Sequence, residues 1–379
     1  MAFLTDGQDD HAVIIGLQNY PGLDDVANGV LPLSGPENDA NDFYNWIISP
    51  TGGNVPLQNV IKIISSDYPV STNGYADVLP AGGDIINVFE KIRHRSQTSL
   101  KNHLGSKIGR RLYIFMSGHG IAPSTFGNKL EKEAALLMCN VPPDNKGGVS
   151  YHIPGGYTAN WFCENDCYDE VFLFMDCCRD PVSVNAINMF LPAKGNKENT
   201  TRFYALSTKW SRRSREKSFD GKMRGIFTKV LLEALNGASA VIDPQDSQQA
   251  HITGKSLRSF LYNNLNQQID PQFEEPDIEY YPKANEGADI IVANFDINRL
   301  SSYPAEIKLS NYTGANIEVY ESNLLPFTTI TVQDPNQVIH LNLPKGKYLL
   351  NGIVDNKLKS VRFDILGTES PGSRVVITL

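Results

Sequence analysis

A histidine set between two glycines and a pair of adjacent cysteines are the residues of this chain best suited to covalent chemistry. Ser117-Gly118-His119-Gly120 follows an apolar run at 112–116, and Asp176-Cys177-Cys178 follows another at 171–175. A thiolate beside an imidazole is the minimal kit for acyl transfer: the histidine tunes the thiol and then protonates the leaving amine. Glycines on both sides of His119 permit sharp turns and close approach of a substrate to the main chain. Main-chain N–H groups of the glycine-flanked turn, Gly120 among them, and of the nucleophilic cysteine would then supply an oxyanion hole. Taken alone, the pair has a bland reading too, because a buried cysteine is often a small hydrophobe.

The elements that would carry these residues are legible as pattern. Short apolar runs at 12–17, 60–64, 112–116, 171–175 and 203–206 suit strands buried on both faces. Between them lie helical stretches. One opens at Ser34-Gly35-Pro36-Glu37, which reads as a capping box with proline in the first turn, and runs through Phe43, Trp46 and Ile47. Others fit from about 83, with Ile85, Ile86, Phe89 and Ile92 on one stripe, and at 158–167, 226–235 and 255–269. Strands separated by helices imply an α/β domain with a mostly parallel sheet flanked by helices. In such sheets ligands gather beyond the carboxyl ends of the strands, which is where both polar segments fall. After 294 the pattern changes to seven short alternating strands punctuated by Asn, Gly and Pro, the mark of a small all-β antiparallel sandwich of immunoglobulin-like kind. The expected division is 1–295 and 300–379.

In the order of these motifs the chain resembles the caspase-like cysteine peptidases, in particular the metacaspase and bacterial orthocaspase branch. Their signature likewise puts a histidine about 50 residues upstream of the cysteine. Gly16-Leu17-Gln18-Asn19-Tyr20, Asn38-Asp39-Ala40, Tyr204-Ala205-Leu206-Ser207-Thr208 and Gly225-Ile226-Phe227-Thr228 agree in order. The resemblance spans roughly 10–293 and leaves out the sandwich. Motif by motif, it implies Cys178 as nucleophile and His119 as base, with Cys177 a packing residue. Arg179-Asp180 departs from it, since many relatives carry His-Ser-Gly there.

The resemblance also implies that Asp39 and Asp176 line the primary specificity pocket, so that cleavage follows Arg or Lys; paired carboxylates hold a guanidinium or ammonium by charge-assisted hydrogen bonds. The alternatives are helix-dipole and loop roles for these acids. A pocket for Asp, or an apolar one, would instead use Arg212, Arg213, Arg215 or Trp210. The resemblance implies activation cleavage in the 179–201 connection, and an exposed loop tip would put self-cleavage at Lys194 or Lys197; the alternative is a solvated loop that is never cut. Stress and defence roles, with a gasdermin-type pore-former as partner, come from the family alone. A caspase-fold scaffold with little peptidase activity is the competing class.

Composition narrows the rest. The 379 residues carry 34 Lys+Arg against 42 Asp+Glu, a net charge of −8, which argues against nucleic acid as partner. No apolar run is long enough to span a bilayer, and the opening residues lack a signal-peptide pattern. Five cysteines without such a signal read as thiols in a cytoplasmic protein rather than as a disulfide framework. Cys163, Cys167, Cys177 and Cys178 lack the paired spacing of zinc sites, so no cofactor is expected to be required; the resemblance leaves calcium activation open, although no calcium-loop motif is present.

Overall fold

A computed structural model describes residues 9–23, 32–71, 74–123, 133–143, 151–182, 199–209, 211–243, 246–268, 276–282, 289–296, 302–321, 326–344, 346–365 and 375–378. In chain order the first part runs β1 (His11–Gly16), α1 (Pro36–Ile48), β2 (Val60–Ile64), α2 (Gly82–Lys101), β3 (Arg111–Ser117), β4 (Gly120–Pro123), β5 (Ala135–Leu137), β6 (His152–Pro154), α3 (Gly155–Glu164), β7 (Glu170–Asp176), β8 (Asp180–Val182), β9 (Thr201–Leu206), β10 (Glu216–Phe219), β11 (Lys222–Gly225) and α4 (Ile226–Glu233). It continues with β12 (Val241–Asp243), β13 (Asp246–Thr253), α5 (Gly254–Gln268), β14 (Asp277–Tyr281) and β15 (Ile291–Asp296).

The fold is α/β, as the strand–helix alternation requires. A six-stranded sheet has the order β14-β9-β7-β3-β1-β2. All neighbours are parallel except β14, which pairs antiparallel to β9 along one edge. The alternate residues of each central strand face different layers. Val13, Ile15, Ile114, Leu173 and Met175 pack with Ile85 and Phe89 of α2 and Phe162 of α3 in one core. On the other face Phe43 of α1 stacks on Phe115 at 4.6 Å and meets Phe174, while Trp46 meets Tyr113 edge-on. Burial on both faces is what the continuous apolar strands foretell.

Helix α1 begins differently from the capping-box expectation. Gly35 is its N-cap and makes no side-chain cap, with Pro36 in the first turn. The amides of Ser34 and Gly35 donate instead to the Glu216 carboxylate of β10, and Glu37 accepts from the amide of Ser66. A carboxylate brought by tertiary structure has replaced the local one.

The chain folds as two compact units, 1–233 with 258–290, and 234–257 with 291–379. The second contains the sheet β12-β13-β15 and the seven strands expected from the sequence: β16 (Ser302–Lys308), β17 (Asn316–Glu321), β18 (Pro326–Thr331), β19 (Val338–Pro344), β20 (Gly346–Val354), β21 (Lys357–Ile365) and β22 (Val375–Thr378). These form sheets β19-β16-β22 and β18-β17-β20-β21, and Ile307, Ile317, Val319, Tyr348, Leu350 and Ile377 from both share one core. One pair, β16 with β22, is parallel, a departure from the all-antiparallel expectation. Among the described residues no helix is long and apolar enough to cross a membrane.

Candidate active site

The chain crosses from β2 on one side of β1 to β3 on its other side, so the sheet reverses direction of growth at β1 and β3. Loops leaving the carboxyl ends of neighbouring strands splay apart at such a switch point and open a crevice. The ends of β3 and β7 lie beside it, and their register fixes what stands there. Ser117 of β3 is opposite Asp176 of β7. Past those residues the two segments resume parallel pairing as β4 and β8, with Ile121 opposite Asp180. His119 and Cys178 occupy equivalent positions in the interval between the two ladders, and so lie abreast.

Close main-chain contact holds this interval together. The amide of Gly118 donates to the carbonyl of Asp176 at 3.2 Å. A Cβ built on Gly120 would stand 2.6 Å from the Cys178 carbonyl oxygen and 2.7 Å from Sγ of Cys177. Only glycine admits backbone that near, which gives the residue after His119 a steric reason for its identity.

The histidine is held by Tyr20, which follows β1. The Tyr20 hydroxyl donates to the Leu137 carbonyl and accepts from the His119 amide, at 3.1 and 3.2 Å. Its ring meets the imidazole edge-on, with centroids 4.8 Å apart. Nε2 of His119 is buried and has no hydrogen-bond partner among the described residues. Burial pushes the imidazole down to about 4. Cys178 is half-buried, and its thiol donates to the Ser214 carbonyl at 3.7 Å. Burial raises this thiol to about 11 against the lowering effect of the Ser214 contact. At neutral pH both groups therefore rest in their neutral forms. Cys177 is only 2% exposed and is pushed up further by burial; its amide and carbonyl are both bound to the Ser207 hydroxyl. It is a packing residue.

Asp39 and Asp176 come together at the same end of the sheet. A Cβ on Gly225 would lie 2.0 Å from Oδ2 of Asp176 and 3.1 Å from Oδ2 of Asp39, so the two carboxylates flank one glycine. Asp39 accepts from the Ser117 hydroxyl at 3.0 Å and from the Gly225 amide at 3.1 Å. Asp176 accepts from the Ser214 hydroxyl, and from the amide and hydroxyl of Thr228 at 3.0 and 2.7 Å. Both are almost fully buried, at 1% and 5% exposure. No cation pairs with either among the described residues. Burial, and for Asp39 the neighbouring Asp176, raises both carboxyls above the usual range, and Glu216 adds to this. The two desolvated acids thus lie side by side with no counter-charge among the described residues.

Arg212, Arg213 and Arg215 are exposed. Their segment is fixed through main chain: the Arg179 amide donates to the Arg212 carbonyl and the Ser211 amide to the Arg179 carbonyl. Arg213 pairs at the surface with Asp180. Trp210, Lys194 and Lys197 lie outside the described residues.

Arg179, the departure from the family pattern, is fully buried. Its Nη1 lies 2.9 Å from Oδ2 of Asp277 on β14 and 3.0 Å from the Thr208 carbonyl. Breaking such a pair leaves an uncompensated buried charge. Arg179→Met should therefore cost about 3–5 kcal/mol, read as a lower urea midpoint. Adding Asp277→Leu should recover part of that loss.

Tyr20, Ser117, Ser214, Gly225 and Thr228 complete the site. Tyr20, Gly225 and Thr228 stand inside the family-like motifs, but nothing local marks them as partners of His119 or of the acids. Ser214 is hidden within a basic run.

No family model matches the chain. Over 243 residues it is 26% identical to a probable protease from a Desulfuromonadales bacterium, a match covering 60% of this chain and 26% of that protein's length. A crystal structure of a protein from Geobacter sulfurreducens superposes with a TM-score of 0.42 and 14% identity, covering 76% of this chain and 97% of that one.

Proposed function

We propose that the chain is a caspase-like cysteine endopeptidase that cuts proteins after Arg or Lys, with Cys178 as nucleophile and His119 as base. The observation that carries this reading is the register that sets His119 abreast of Cys178 between two ladders, with the acid pair beside them. Similarity to a probable protease points the same way.

In the reaction His119 Nε2 takes the proton of the Cys178 thiol as sulfur adds to the scissile carbonyl. The main-chain N–H groups of Gly120 and Cys178 stabilise the resulting oxyanion. The C–N bond breaks as the imidazolium protonates the leaving amine, which leaves a thioester on Cys178. His119 then removes a proton from water, hydroxide adds to the thioester, and the proton returns to the departing sulfur. Asp39 and Asp176 hold the cationic side chain of the residue that donates the carbonyl.

A peptidyl-arginine chloromethyl ketone tests this assignment. The full chain should gain one peptidyl adduct, mapped to Cys178 by peptide mass, and an aspartyl analogue should label far more slowly. Labelling of Cys177, or equal labelling by both reagents, would overturn it.

A further inference from the structure

Ser214 is bound to both halves of the site at once. Its carbonyl accepts the Cys178 thiol, and its hydroxyl donates to Oδ1 of Asp176. On either side the chain is tied down, since the Arg212 carbonyl accepts from the Arg179 amide and the Arg215 carbonyl accepts from the Ile226 amide. The Ser214 peptide is thus a short span between two fixed points, and its hydroxyl bond to Asp176 sets its orientation. Meanwhile Nε2 of His119 is buried with no partner among the described residues. In this state the thiol is engaged with a carbonyl while the imidazole that should receive its proton is not engaged with the thiol.

We propose that Ser214 is a positioning residue that couples occupancy of the acidic pocket to release of the nucleophile, an inference that rests on the proposed cysteine peptidase with a basic preference. A guanidinium entering the pocket competes with the Ser214 hydroxyl for Oδ1 of Asp176, because a charge-assisted donor binds a carboxylate more strongly than a neutral hydroxyl. With that tether broken, the 214–215 peptide is free to turn, the S–H···O contact is lost, and the thiol rotates toward Nε2 of His119. No bond other than hydrogen bonds changes in this step. The proton leaves sulfur only when the thiol meets the imidazole. A substrate without a basic side chain would meet a thiol still held by Ser214, so selection would act on the chemical step as well as on binding.

The test uses the full chain and agmatine, a guanidinium compound with no scissile bond. Iodoacetamide alkylation of Cys178 is followed by peptide mass, which separates it from the four other cysteines, and agmatine binding is measured by calorimetry on the same samples. Rotation gives up the Ser214 backbone contact, which holds the thiol's pKa down, for an imidazole that takes its proton. Each pKa unit by which that base lowers the thiol raises its thiolate tenfold, partly offset by weaker nucleophilicity. Saturating agmatine should therefore speed alkylation about three- to tenfold and move its pH profile lower. Ser214→Ala should alkylate quickly without agmatine and respond little to it, and Ser214→Thr, which keeps the hydroxyl, should restore the response. If agmatine binds but alkylation is unchanged or slowed, the coupling is wrong while the basic pocket stands. Absence of any binding overturns the pocket and the coupling together, and an agmatine response retained in Ser214→Ala shows that Ser214 is not the coupling residue.

Discussion

Cys178→Ala and His119→Ala should each lower peptide hydrolysis by a factor on the order of 10⁴ to 10⁶, because a nucleophile and its base act as a unit and either loss removes the covalent route. The double variant should be no worse than either single one. Cys177→Ala is the contrasting case. Its thiol is sealed in the core behind Gly120, and its main chain is tied to the Ser207 hydroxyl. Removing one buried atom should cost about 1 kcal/mol of stability and leave kcat/KM close to the starting value. His119→Ala also discriminates between two kinds of thiol. A nucleophile pre-ionised by its partner would lose its reactivity toward small alkylating agents at neutral pH. With the imidazole near 4 and the thiol near 11, both groups rest neutral, so alkylation of the free protein should change far less than hydrolysis does.

The second large effect concerns the acid pair. Asp39→Asn removes one of two charges facing a guanidinium in a desolvated pocket. Truncating one partner of such a pair costs about 2–5 kcal/mol, roughly 30- to several-thousand-fold in kcat/KM. The loss should be confined to Arg and Lys substrates, with little change for a neutral-residue control. Asp176→Asn is a less selective probe, because Ser214 links that carboxyl to the nucleophile. The same acids predict a pH dependence. Burial raises both carboxyls above the usual range, and the Asp176 charge adds to the rise at Asp39, so an empty pocket takes up protons at a higher pH than ordinary carboxylates do. A cation needs the ionised form. Hence kcat/KM for Arg substrates should fall as pH falls through that raised range, and the fall should begin at a lower pH in Asp39→Asn. A neutral substrate cut slowly by the same protein should lack this limb.

The parts of the fold legible in the sequence are those whose signal is local. The β3 and β7 runs are apolar on both faces because helices cover both, and periodicity alone finds them. The histidine and cysteine turns are legible because each directly follows such a strand. β4 and β8, which fix His119 abreast of Cys178, are too short to carry a period and are defined by pairing rather than by composition. The same holds for the β10–β11 hairpin, whose Glu216 takes over the amides at the start of α1. The apparent capping box at Ser34 and Glu37 misleads because local spacing cannot reveal a competing carboxylate from a distant hairpin. Asp39 and Asp176 are singled out only by a resemblance, and Ser214, Gly225 and Thr228 become partners of these acids only once β7, β11 and α4 pack. β13, polar over most of its length, gives no strand signal, and it is the element that pairs with β15.

The most direct test of the central claim is digestion of an unbiased peptide pool by the 379-residue chain and by its Cys178→Ala variant, with every new terminus sequenced by mass spectrometry. A Cys178 peptidase with an acidic pocket should yield new carboxyl termini that are overwhelmingly Arg or Lys with the unaltered protein, and none with Cys178→Ala. Cuts that survive the loss of Cys178, a profile dominated by Asp or apolar residues, or no cuts from an intact and folded chain would contradict it.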